Sequence, residues 1–74
     1  MTFLKITVLT RRGASDPPQE QTEVIDVRII DRIVPATLAG YEKPVCKLHL
    51  SHGDLLHCAG TVDELADAIE KKLA

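Results

Sequence analysis

Two runs of alternating apolar residues, Val45–Leu50 and Leu55–Ala59, flank Ser51-His52-Gly53-Asp54, and nothing else in this 74-residue chain restricts its fold as tightly. A glycine between two such runs predicts a β-hairpin, because glycine enters the left-handed backbone region without a Cβ clash. Two registers compete. A two-residue loop, His52-Gly53, sets Leu50 against Leu55 and puts Cys46 and His57 on one face. A three-residue loop, Ser51-His52-Gly53 with Gly53 as a bulge, sets Leu50 against Asp54, Leu48 against Leu56 and Cys46 against Cys58. The second sorts the side chains better: Cys46, Leu48, Leu50, Leu56 and Cys58 turn inward while Lys47, His49 and His57 turn outward, as in a half-buried antiparallel pair.

The hairpin runs into Gly60-Thr61-Val62-Asp63-Glu64. Thr61 as N-cap with Glu64 three residues on is the signature of a capping box, so a helix is expected from here. Val62, Leu65, Ala66, Ile69 and Leu73 form one apolar stripe at helical spacing, and Asp63, Glu64, Asp67, Glu70, Lys71 and Lys72 cover the rest. Acids in the first turn and lysines in the last suit the helix dipole. Burial of Leu65, Ile69 and Leu73 at ~1.5–3 kcal/mol each outweighs the ~1 kcal/mol of the cap, so the helix depends on docking.

Upstream, residues 2–10 alternate with Leu4, Ile6 and Val8 on one side, a strand pattern. Residues 11–21 contain no apolar side chain larger than Ala outside the Pro17-Pro18 pair and predict a flexible loop. From Thr22 to Val34 the apolar parity changes, with Ile25, Val27 and Ile29 in one set and Ile30 and Val34 in the other. A strand changes its inward set through a bulge or bend, expected here near Ile29-Ile30, and such a bend lets a small sheet curl toward a barrel. A single helical turn over residues 30–33 is the alternative. Ala36 to Lys43, with Gly40 and the following Pro44, reads as a second loop. The expected fold is therefore a single α+β domain over residues 1–74: a curved antiparallel four-stranded sheet, β-β-β-β-α and SH3-like in its barrel form, with one C-terminal helix.

Nine Lys and Arg against eleven Asp and Glu leave a net charge of −2, which disfavours generic nucleic-acid binding. Phe3 and Tyr41 are the only aromatics, leaving few stacking surfaces. The apolar runs are far shorter than the ~20 residues of a membrane span. The first nine residues lack both a basic leader and a small-residue cleavage site, so a cytoplasmic location is expected. Two cysteines are too few for a disulfide scaffold, and in a reducing compartment they are expected as buried thiols, with a redox switch between Cys46 and Cys58 as a minor alternative.

Cys46, His49, His52, His57 and Cys58 are the residue types that hold zinc, but their spacing is poor for it. There is no Cys-x-x-Cys knuckle, and in either register the sheet separates at least one Cys/His pair. The four glycines form no phosphate-binding run and no Ser or Cys sits in a nucleophile elbow. Asp26 and Asp31 beside Arg28 and Arg32 read as an exposed charged face, and His52 as a turn residue with no evident orienting partner. No enzyme activity, catalytic residue, cofactor or metal is expected.

Ile30-Asp31-Arg32-Ile33, Val45 to Gly53, Cys58, Thr61, Asp63-Glu64-Leu65 and Ile69 together resemble the small bacterial flagellar FlbD-type proteins. Those share an Ile-x-x-Ile, an apolar-x-apolar strand, an x-Gly turn, a second strand and a Ser/Thr-capped helix with an acidic-Leu pair. The resemblance covers about half the chain, has no counterpart for residues 1–21, and is shared in its hairpin and capped helix by DNA-binding LytTR domains. It implies a non-enzymatic accessory protein in a bacterial or phage setting, acting through an unidentified protein partner; a homodimer is a separate alternative. The alternative functions are a nucleic-acid-binding regulatory domain, with Arg11, Arg12, Arg28 and Arg32 converging on one surface, and a Cys/His metal-binding protein.

Overall fold

The computed structural model describes residues 2–13 and 15–74. Its elements are β1 (Phe3–Thr10), β2 (Gln19–Asp26), a 3-10 turn (Val27–Ile29), β3 (Ile30–Leu38), β4 (Tyr41–Leu50), β5 (Leu55–Ala59) and α1 (Val62–Leu73). The strands form one antiparallel sheet in the order β2-β1-β5-β4-β3, with α1 packed against β1, β3 and the 3-10 turn. This is an α+β fold with a C-terminal helix, as the sequence predicts, but with five strands where four were expected.

The extra strand has two local causes. The expected long strand from Thr22 to Val34 is cut at Val27–Ile29, where the Asp26 carboxylate accepts a hydrogen bond from the Arg28 amide at 3.0 Å and starts a 3-10 turn. The parity change therefore comes from a helical turn three residues earlier than the one considered, rather than from a bulge alone. The expected loop Ala36 to Lys43 is itself largely strand: β3 continues to Leu38, reverses at Ala39-Gly40, and β4 begins at Tyr41. Gly40 has φ +83°, which lets the reversal be this short. Likewise the flexible loop expected over 11–21 ends earlier, since β2 starts at Gln19.

The sheet is open rather than an SH3-like barrel: β2 and β3 are its two edges and do not pair with each other. Even so, only three residues connect them. Right-handed twist brings diagonal corners of a sheet together, and the 3-10 turn joins one such pair beneath the helix, with Val27 buried. The other pair, the β1–β2 and β3–β4 turns, meets on the opposite side. There the Arg11 guanidinium donates to the Ala39 carbonyl and the Tyr41 hydroxyl donates to Glu20 at 2.9 Å. Beneath that contact Leu9 and Val45 are buried, apart from the main core.

That main core lies between sheet and helix and contains Ile6, Val8, Ile25, Cys46, Leu48, Leu50, Cys58 and Leu65. The three-residue-loop register is the one adopted, pairing Cys46 with Cys58 and Leu48 with Leu56, with Gly53 at φ +100°. The capping box at Thr61 and Glu64 is formed in both directions. Leu73 departs from expectation: it is 57% exposed, because the last turn of α1 runs past the strands that bury Leu65.

Two outcomes follow from this packing. Leu65→Ala should cost about 2–5 kcal/mol and Thr61→Ala about 1 kcal/mol in denaturant unfolding, since one removes core volume and the other only a cap. The Arg28 side chain, hydrogen-bonded to Asp26 with N···O 2.8 Å, holds that carboxyl well below its ordinary range. A lowered folded-state pKa contributes stability above the unfolded value near ~4 and loses it as pH falls through the folded one. Asp26→Asn should therefore melt below the wild type at neutral pH, with the gap closing in strong acid.

Candidate functional site

The two faces of the sheet have different chemistry, and β5 shows why. Its neighbours across the ladder are fixed by the register Lys47↔His57, Cys46↔Cys58 and Val8↔Cys58. Alternation then sends Cys58 and Leu56 to the helix side and His57 and Leu55 to the other. The same rule places Cys46 with Cys58 in the core while Lys47 and His49 stand on the helix-free face. Of the five residues weighed as zinc ligands, the two thiols thus lie on one side of the sheet and two imidazoles on the other. The fifth, His52, is in the turn, its Nε2 3.0 Å from the Asp54 carboxylate. It therefore has the partner that sequence reading did not identify, but both groups are exposed. Among the described residues, no three His, Cys, Asp or Glu side chains converge as a metal site would require.

The thiols occupy the most enclosed positions of the core, with Cys46, Cys58 and Leu48 fully buried. Both cysteines are free. Burial pushes both thiols up, Cys58 to about 11 with the neighbouring Cys46 adding to the effect. Such groups are poor nucleophiles, because the thiolate is the reactive form. Cys46 has a structural task. The Gly60 amide donates to the Pro44 carbonyl at 2.9 Å, half of the paired exchange an antiparallel ladder makes at such a position. Proline has no N–H to return, so the Gly60 carbonyl would be left without its ladder donor. The Cys46 Sγ supplies one at 3.1 Å.

Beside this point, where β5 gives way to α1, a groove of about 470 Å³ is lined by Pro35, Ala36, Pro44, Val45, Thr61 and Val62 among others. It is apolar, and only the capped first turn of the helix borders it with polar groups. Pro35 sits on edge strand β3, where a missing donor is tolerated.

The helix-free face carries basic side chains. Register and alternation put Lys5 of β1, Arg32 of β3, Lys47 and His49 of β4, and His57 of β5 on it. Arg32 pairs directly with His49, and Lys47 with His57. Leu55, 42% exposed, stands beside His49, and half-buried Val34 beside Lys47. β1 and β5 contain no Asp or Glu. Those of edge strand β2 are engaged, Glu20 by Tyr41 and Asp26 by Arg28. The acids of α1, Asp63, Glu64, Asp67 and Glu70, lie on the opposite side of the molecule. Sequence reading placed Lys47, His49 and His57 outward but missed Lys5 and Arg32 as residues of the same face. The parity signal exists, but it becomes a surface only once strand order is known.

The four arginines considered for nucleic acid do not converge. Arg28 follows Val27, whose amide bonds Thr2 at the start of β1, whereas Arg11 follows the end of that strand, roughly 25 Å along it. No helix among the described residues is long and apolar enough to cross a membrane. An open five-stranded antiparallel sheet with a helix on one face and a basic opposite face is thus the class this chain defines. Comparison with protein-family models, curated proteins and solved structures finds no match.

In native protein at neutral pH both thiols should resist an aromatic disulfide reagent, and both should react after unfolding. Cys46→Ala should destabilise more than Cys58→Ala by about 1 kcal/mol or more, because it also strips the donor from the Gly60 carbonyl. Equal losses in denaturant titrations would remove that hydrogen bond from the account.

Proposed function

We propose that the chain is a small non-enzymatic accessory module that works by binding another protein, with the helix-free face of its sheet as the contact surface. One observation carries this reading. The helix and the main core use up one face; on the other, beyond the part closed over Leu9 and Val45, the strands present Leu55, Val34 and half-buried Lys47, His49 and His57. Side chains held this way lose little further entropy on binding, which favours recognition. The resemblance of the C-terminal half to FlbD-type proteins supports a bacterial or phage accessory role for it. The cationic character of the same surface favours the second reading, a nucleic-acid-binding regulatory domain.

Photo-cross-linking in the native cell separates the two. A cross-linker at Leu55, on the sheet face, should give a discrete adduct that protease removes and nuclease leaves intact. One at Asp67, on the exposed side of α1, should give none. Adducts from Asp67 alone, or from neither position, would overturn the assignment of this surface, and a nuclease-sensitive adduct would establish the second reading.

A further inference from the structure

We infer that the partner segment seated on the helix-free face is an acidic polypeptide. The inference rests on the binding-module reading and names the chemistry of its partner. Its basis is charge segregation that net charge conceals. A chain of net charge −2 places Arg32, Lys47, His49 and His57 side by side across β3, β4 and β5, with Lys5 further along β1 on the same sheet face, and leaves the acids of α1 on the other side. Long-range steering responds to such a local field rather than to the total.

The arrangement suits a peptide better than a polyphosphate. Lys47 and His49 are two residues apart on one strand, a spacing of about 6.6 Å. Alternate side chains of an extended peptide have the same spacing, so acidic side chains at every second position can meet Lys47 and His49 in turn. Leu55 beside His49 and Val34 beside Lys47 offer contacts to the apolar residues of an acidic, partly hydrophobic segment. Single-stranded nucleic acid relies on aromatic platforms for its bases. Here Phe3 lies at the far corner of the face, and the Tyr41 hydroxyl is tied to Glu20.

The test uses the full chain and two probes of equal charge: a synthetic peptide alternating Glu and Leu, and an oligothymidylate. Titration followed by amide chemical shifts, at about 10 mM ionic strength where the Debye length is ~30 Å, should show saturable peptide binding. The shifts should map to residues of β4 and β5 around Lys47, His49 and His57, with α1 unmoved. Lys47→Glu combined with Arg32→Glu should weaken peptide binding roughly tenfold, while Lys71→Glu with Lys72→Glu on the helix should not. The wild-type shift map stands even if the sheet variant folds poorly. Equal or tighter binding of the oligonucleotide, shifts centred on α1, or no binding of the peptide would overturn the inference. A Leu55 protein adduct in the native cell alongside a failed peptide titration would discard the acidic partner and keep the binding surface.

Discussion

β5, five residues long, is where the two halves of this molecule are joined, and the rest of the structure depends on its pairing. β1–β2 and β3–β4 are each long hairpins, and an isolated hairpin is marginal in water. β5 takes β4 on one side and β1 on the other, so a single short strand turns two hairpins into one sheet. Cys58, its fourth residue, opposes Val8 and Cys46 at once. The enclosed core of Cys46, Cys58 and Leu48 forms around that crossing.

The helix completes what β5 begins. Twelve residues are too few to hold a helix alone in water, even with a capping box and a favourable dipole. Leu65 seats it on the core, and Val62, packed at the rim, continues that contact toward the end of β5. At the same junction the chain tolerates a proline inside β4, because a thiol replaces the missing amide as donor to Gly60. Both cysteines are thereby accounted for as packing groups, one with an added hydrogen-bonding duty. This is why the chemistry of the molecule moves to the opposite face.

On that face, strand alternation separates charge as cleanly as it separates apolar from polar. The core takes one parity of each strand, and the charged side chains that the registers place on the other are basic, apart from an edge whose acids are already held. The helix carries the balancing acids. The result is a chain of net charge −2 with basic side chains on one sheet face, so the total charge does not describe that surface.

Much of this was legible in the chain. The Gly53 reversal, the Cys46–Cys58 register and the Thr61 cap are local or nearly local, because turn chemistry and period-two or period-3.6 burial write themselves into neighbouring residues. Three things were not. Asp26 caps a turn that looks like strand, since a 3-10 turn of three residues leaves too short an apolar pattern to distinguish. The β3–β4 turn at Ala39-Gly40 looked like a loop, because Pro35 and Pro44 are tolerated in strands only where their missing amides do no harm, and that depends on edges and neighbours. Strand order was invisible as well. The sequence by itself determined the hairpin, the helix and which side of each strand is greasy; only the tertiary structure decided that β5 lies between β1 and β4. That placement depends on contacts between residues some fifty positions apart, and it gathers basic side chains scattered from Lys5 to His57 into one surface.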